Sequence, residues 1–422
     1  MRIIKKVIKG NRTTIKLFNC IKISYKNTCD KHKNTDDKLL ENIFKKDYKK
    51  KVLLSYITAP FKGGLYKTHS NSLEAMTAAK IFDSLRYQVD AIFYLDDLPP
   101  EKLKDYDVVY GFGKTFDMTL TNPKIKSIFY GTGCSTLYSN VVTVKKIREV
   151  CNNHGIWMPN CGRIVYMPAE ISLNFSDLII TLGNEFVKNT YVLDGVQQNI
   201  KNINCFYYDT YNIDMDKKDF NKIRKNFLFF GSGGTLHKGL DIVINIFKKR
   251  TDLNLTICGN YDYEPNFKNY YSNVFENKFS NIKFAGFVNI ESDEFKNIMD
   301  NNAAVIFPSL SEGGAVAILN VMANGGLIPI ISESSGLDVG HYGFMFQEIS
   351  EKNVEQYIDK FLQLDIDKLR ELSTSVKNET RHLYSYDKYK TNLAQIINNE
   401  LKEGFGVDNT HGNMPDTVVA SE

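Results

Sequence analysis

Nowhere in the 422 residues does an apolar run reach 18 positions, so no segment of the sequence is fit to cross a bilayer as a helix. The amino-terminal stretch is charged but has neither an apolar h-region nor a small-residue cleavage site, which argues against a secretory leader. The seven cysteines (Cys20, Cys29, Cys134, Cys151, Cys161, Cys205 and Cys258) include no CxxC pair and no metal-ligand spacing with histidine. Scattered in this way they suit a reducing compartment, as core or surface thiols, and no metal site is expected. No GxGxxG follows a first strand in either half, which sets aside a plain nicotinamide-binding Rossmann enzyme. These absences together lead us to expect a cytoplasmic protein.

The length is enough for two domains of ordinary size. The net charge of +4 is unevenly spread: residues 1–51 carry 16 Lys and Arg against 5 Asp and Glu, a local +11, which leaves −7 for the remainder. The organisation expected is a basic appendage (1–50), a first domain (51–215), a second domain (226–385), a closing helix (386–402) and a tail (403–422) without Lys or Arg that reads as disordered. In the appendage Ile3, Ile4, Val7 and Ile8 share one helical face, and from Thr14 to Tyr25 the pattern changes to the alternation of a small hairpin. A basic stretch with intermittent apolar residues suits an anionic membrane surface. A solvated arm is the alternative, and nucleic acid is not expected because no reading motif accompanies the charge.

The chain is organised around Ala303–Ile331. A short apolar run ends at Pro308, a turn carries Glu312, Gly313 and Gly314, a helix follows from about Ala315 to Ala323, and a second apolar run covers Leu327–Ile331. That is a βαβ unit whose glycine turn lies at the carboxyl end of its first strand, where open α/β sheets bind ligands. A helix opening on glycines presents unpaired N–H groups that suit a phosphate. Glu312 stands among those donors, where it can accept from a sugar hydroxyl, and Asn320 follows two turns along. Taken alone, the same pattern equally fits a buried crossover whose glycines only permit tight packing.

The remaining segments repeat the scheme. Strand patterns at 52–58, Val89–Leu95, Asp107–Gly111, Ser127–Tyr130 and Leu178–Leu182 alternate with helices, which implies a parallel, doubly wound sheet. The loop after the first strand contains Gly63, Gly64 and His69, an acceptor-side loop if it faces a cleft, although a lone loop histidine is more often neither catalytic nor a contact. Residues 134–170 read as a helix and then an irregular segment over the cleft. Asn184 caps a helix, and the polar stretch Asp209–Lys225 reads as a linker. The second domain restarts at Phe227–Phe230 and runs into Gly231, Ser232, Gly233, Gly234 and then Lys238 at a helix start, which combines backbone donors with a point charge. Two further strands end at Gly259-Asn260 and Gly286-Phe287, where a base could stack or meet backbone groups.

Taken in order, FLFFGSGGTLHKGLDIVINIF (227–247), LNLTICGN (253–260), IKFAGFV (282–288) and VIFPSLSEGGAVAILNVMANGGLIPI (305–330) resemble the donor half of GT-B-fold glycosyltransferases, specifically the retaining glycosyltransferase family 4. The closing YSYDKYKTNLAQII (384–397) resembles the helix that crosses back to the first domain in that fold. The resemblance implies two Rossmann-like domains facing across a cleft, and a sugar moved from a UDP- or GDP-linked donor to a glycan or lipid-linked acceptor without a bound metal. It implies that Lys238 holds the donor pyrophosphate, that Glu312 contacts the transferred sugar, and that Gly313, Gly314 and Ala315 offer N–H groups. Two departures stand out: the family's second acid is Asn320 here, and its arginine after the strand is replaced by Ser232-Gly233-Gly234, whose N–H groups are expected to substitute. Asp214-Met215-Asp216 is expected to be solvated surface rather than a metal triplet. Two rivals remain: a degenerate relative that binds a nucleotide sugar or a partner without catalysis, and another GT-B-like enzyme such as a nucleotide-sugar epimerase.

Overall fold

The computed structural model describes residues 4–9, 12–17, 21–26, 38–167 and 169–403. In the appendage, β1 (Ile4–Lys9), β2 (Arg12–Leu17) and β3 (Ile21–Lys26) form an antiparallel meander. The hairpin expected after Thr14 is present, but the helix expected over residues 3–8 is a strand in its described part. A helix of one or two turns standing alone is marginal, whereas pairing with β2 completes a hydrogen-bonded ladder. The expected disordered tail lies, from residue 404 on, outside the described residues.

The first domain is built on a seven-stranded sheet of β4 (Leu39–Leu40), β5 (Lys50–Tyr56), β6 (Tyr87–Phe93), β7 (Val108–Gly111), β8 (Lys126–Gly131), β9 (Leu178–Leu182) and β10 (Asn199–Ile203). Their order is β10-β9-β8-β7-β5-β6-β4, all parallel except the short edge strand β4. The second domain is a wholly parallel six-stranded sheet of β11 (Asn226–Phe230), β12 (Asn254–Cys258), β13 (Ile282–Gly286), β14 (Ala304–Phe307), β15 (Ile328–Ser332) and β16 (Phe344–Phe346), ordered β13-β12-β11-β14-β15-β16. Helices cover both faces, so the central strands are apolar on both sides; β14 and β15 are buried throughout. The order reverses between β5 and β7 in one sheet and between β11 and β14 in the other, which opens a crevice at the carboxyl ends of those strands.

Two crossings join the halves. The helix Tyr386–Glu403 returns to the first domain, where Tyr386 meets Thr77 (Oη–Oγ1 2.8 Å), Tyr389 meets Tyr130 (Oη–Oη 3.0 Å) and Glu400 pairs with Lys126 (2.7 Å). The segment expected to be a polar linker is instead packed: Ile213, Met215, Phe220 and Ile223 are buried, and buried Lys218 donates to the Gly325 carbonyl at 2.9 Å. The start of its backbone is held by the Asn324 side chain. Asn324, fully buried, accepts from the N–H groups of Thr210 and Tyr211 (both 2.9 Å) and donates to the Tyr208 carbonyl (2.9 Å). Asp214 and Asp216 are exposed as expected; Asp214 accepts from the Asp216 N–H and caps a short turn.

Candidate active site at the facing sheet edges

The turn after β14 opens the helix Val316–Gly325 through two residues in the left-handed region, Gly314 (φ +83°) and Ala315 (φ +31°). Alanine there stores strain on the order of 1–3 kcal/mol, which the surrounding packing has to hold. Among the described residues the N–H groups of Gly313, Gly314 and Ala315 have no protein acceptor, whereas the Glu312 N–H donates to Ser334 O at 2.9 Å. Three consecutive orphan donors at the positive end of a helix are the kind of group an anion favours.

The glycine turn after β11 is different, and here the expectation is corrected. Most of its donors are already used within the protein: the Gly231 N–H bonds Cys258 O, the Gly233 N–H bonds Asn260 O, and buried Glu264 accepts from the N–H groups of Gly234 and Thr235, which among the described residues leaves the Ser232 N–H. The turn therefore does not offer Gly231, Gly233 and Gly234 N–H groups in place of an arginine. An internal carboxylate thirty residues away caps it. Gly259 likewise donates to Gly286 O, and Asn260 is held in the turn by the Ser232 hydroxyl, which accepts from the Asn260 N–H (3.0 Å).

Lys238 lies at the end of this turn with its ammonium on the Ser232 carbonyl. Burial lowers its pKa to about 8, while the Glu312 carboxylate pulls in the other direction. Glu312 accepts from Ser309 Oγ (3.2 Å) and from Arg163 Nη1 (3.0 Å). Burial pushes its carboxyl upward, but Arg163, Lys238 and His237 outweigh that, and the group stays below its ordinary value, hence ionised at neutral pH. His237 is buried between the domains: Nε2 faces the Ser311 carbonyl (2.5 Å) and Nδ1 faces Thr143 Oγ1 (2.8 Å). A carbonyl only accepts, so the proton is on Nε2 and Thr143 donates to Nδ1. Burial lowers the His237 pKa to about 4. His69 is exposed at the cleft mouth, where its Nδ1 accepts from the Asn71 N–H (3.2 Å); crowding by protein, then the charges of Arg163 and Lys238, lower its pKa.

The first domain closes directly on the second. A Cβ on Gly313 would lie 2.2 Å from Thr132 O, so this glycine is required by close approach alone. A buried ion pair, Lys146 with Asp241 at 2.9 Å, and the Leu236 N–H on Cys161 O (3.0 Å) bind the same faces. Between the domains lies a cavity of about 180 Å³ lined by Gly131, Thr132, Arg163, Tyr191, His237 and Glu312, among others. The loop containing Gly63, Gly64 and His69 does not line it. That loop is exposed and reaches the second domain through Lys67, paired with Glu291 at 2.7 Å. Phe287 is exposed beyond β13. Asn320 departs further from its expected role: it is buried, and its amide oxygen accepts from the Tyr208 N–H (2.8 Å), which fixes the crossing segment instead of leaving that oxygen to a ribose.

Residues 212–381 match the family model described as Glycosyl transferases group 1. The match falls on the second domain and the end of the crossing segment before it. Alr3699/HepE of Anabaena, solved with UDP and glucose, is similar in structure at a TM-score of 0.54 and 12% identity, covering 83% of this chain and 100% of that one. The same protein with UDP-glucose gives 0.53 at 12% identity, over 84% and 99% of the two chains. A glycosyltransferase from Rickettsia africae gives 0.56 at 14% identity, over 84% and 100%. No curated protein matches the chain. The two domains together make the GT-B fold, two parallel-sheet Rossmann-like domains facing across a cleft.

Three residues of this site escaped the sequence pattern. Arg163 comes from an irregular stretch without periodicity. Glu264 stands thirty residues from the turn it caps. His237 sits beside Lys238 with nothing in the sequence to show that its ring is buried at the domain interface. Among the described residues no group of three or more His, Cys, Asp or Glu side chains is arranged to hold a metal ion, and no helix is long and apolar enough to cross a membrane.

Proposed function

We propose that this chain transfers a hexosyl group from a nucleoside diphosphate sugar, UDP- or GDP-linked, to a glycan or lipid-linked acceptor. Transfer proceeds with retention of configuration and without a metal ion, as in glycosyltransferase family 4. The observation that carries the reading is the set of N–H groups of Gly313, Gly314 and Ala315, unpaired among the described residues, that follows ionised Glu312, whose carboxylate the Lys238 ammonium also holds in its charged form. Cleavage of the anomeric carbon–oxygen bond leaves negative charge on the departing diphosphate. Lys238 and the helix donors stabilise it electrostatically in a cleft from which closure excludes water. Glu312 accepts from a hydroxyl of the transferred sugar. A phosphate oxygen of the leaving group takes the proton of the acceptor hydroxyl as the new glycosidic bond forms, so no protein base is needed. The presence of UDP and UDP-glucose in the Anabaena structures makes UDP-sugars the first donors to try. The biological setting proposed is bacterial surface polysaccharide synthesis at the inner face of the cell membrane, with residues 1–50 on an anionic surface.

A second reading, a degenerate relative that binds nucleotide sugar or a partner without transfer, is favoured by the commitment of Asn320 to Tyr208 and of the glycine turn to Glu264. One experiment separates the two. A ligand that binds only the native state raises its melting temperature by mass action. UDP, GDP, ADP and their common sugar conjugates are assayed for thermal shift and for release of nucleoside diphosphate, on wild type and Lys238→Ala. A shift with one nucleotide family, lost in the variant and accompanied by release, supports transfer. A shift without release under any acceptor supports a nucleotide-sugar-binding form of the second reading, and no shift at all contradicts transfer and leaves only its partner-binding form.

A further inference from the structure

The charges at the cleft do not balance a diphosphate on Lys238 alone. A bound nucleoside diphosphate brings two or more negative charges beside a Glu312 that is itself ionised. Lys238 is partly neutral near pH 8, and in the glycine turn the N–H groups of Gly233, Gly234 and Thr235 are spent on Asn260 and Glu264. The cation that remains is Arg163, which comes from the other domain. Its stem lies across the glycine turn of the second domain: a Cβ on Gly234 would sit 2.7 Å from Arg163 Cγ and 2.9 Å from Cδ. Gly234, with φ +73°, thus serves two needs, since a side chain there would be strained and would also displace the arginine.

Beyond the turn, the guanidinium reaches Glu312. Among the described residues its protein partner is Glu312 alone, through Nη1 at 3.0 Å, and the side chain is 51% exposed. A guanidinium has five N–H donors in a planar fork that matches phosphate oxygens, so most of that fork faces the open cleft. Its charge acts on Glu312, Lys238, His237 and His69 together, which sets it at the centre of the charged groups in the site.

We propose that Arg163 is a donor-diphosphate ligand contributed by the first domain, which fills the place left by Ser232-Gly233-Gly234 and completes the anion site only when the two domains are together. The inference rests on the glycosyltransferase reading and adds to it the source of the second cation. Arg163 contacts the phosphates with the donors that Glu312 leaves open, and through Glu312 it keeps the carboxylate turned toward the sugar side.

The test is titration calorimetry of UDP, UMP, GDP and GMP on wild type, Arg163→Gln, Glu312→Gln and the double variant. Arg163 is half exposed, so its replacement leaves the core untouched, and melting curves without ligand check this. The loss of charge-assisted bonds weakens the diphosphate that wild type binds by roughly 10- to 100-fold, and the matching monophosphate by much less. The loss recurs when Arg163→Gln is added to Glu312→Gln, because the contact is with phosphate. Equal weakening of diphosphate and monophosphate, or no effect of Arg163→Gln in the Glu312→Gln background, overturns the inference: Arg163 would then serve Glu312 alone. If wild type binds none of the four nucleotides, the glycosyltransferase reading itself fails and takes the inference with it.

Discussion

Binding of a nucleoside diphosphate should draw a proton onto Lys238. Burial holds the ammonium of the free protein at a pKa of about 8, against 10.5 for an ordinary lysine. At pH 8 about half of the sites are therefore neutral, and at pH 7 about one-tenth. A diphosphate beside the amine favours its charged form and returns the pKa toward the ordinary value, so the site takes up about 0.5 proton per nucleotide at pH 8 and about 0.1 at pH 7. Calorimetric titration in two buffers of different ionisation enthalpy reads this directly as the slope of apparent heat against buffer enthalpy. Lys238→Met should abolish the pH 8 uptake. The same shift has a signature without ligand. The unfolded chain binds more protons than the folded one between pH 8 and 10.5, so the contribution of this group to stability rises with pH through that window. A slope of zero at pH 8, or an uptake that persists in Lys238→Met, would refute the placement of the diphosphate on Lys238.

Three further outcomes follow from the geometry. His237 is buried with its pKa lowered to about 4 from 6.5, so the stability it contributes is complete above pH 6.5 and is lost as pH falls toward 4, by roughly 3 kcal/mol; urea unfolding at pH 7 and pH 4.5 should show this pH dependence shrinking in His237→Asn. Asn324→Ala removes the amide that binds Tyr208, Thr210 and Tyr211 and leaves buried backbone groups unpaired, so it should cost about 2–4 kcal/mol in the same assay. A loss under 1 kcal/mol would show that this segment finds other partners. Gly313→Ala places a methyl 2.2 Å from Thr132 O and should hold the domains apart, with a larger radius of gyration by X-ray scattering, reduced turnover and an unchanged far-ultraviolet spectrum; an unaltered radius would contradict the tight closure.

The sequence was informative where one local rule determines the outcome. Apolar runs marked β5, β8, β9, β11, β12 and β14 to within one or two residues, because buried parallel strands have no other composition to use. The Asn184 cap and the helix start after Glu312 were legible for the same reason. Roles that depend on a partner far along the chain were not. Glu264 occupies the donors of a turn thirty residues away, and Asn320 and Asn324 hold a segment more than a hundred residues before them. Nothing in their neighbourhoods distinguishes such residues from surface polar ones. Arg163 is the sharpest case, since it lies in an irregular stretch without periodicity and acquires meaning only when Gly234 and Glu312 of the other domain are brought beneath it. The 209–225 stretch misled through its polar residues, while the few apolar ones between them decided its burial.

The most direct measurement is product formation itself. UDP- and GDP-sugars are incubated with the full chain and simple glycan or lipid-linked acceptors, and both released nucleoside diphosphate and glycosylated acceptor are followed for wild type, Lys238→Ala and Glu312→Gln. The expected result is equal amounts of the two products with one donor, lowered by at least about 100-fold in each variant, with the anomeric configuration of the donor kept. Nucleotide binding without product from any donor, or turnover indifferent to both substitutions, would contradict the assignment of this cleft as a glycosyl-transfer site.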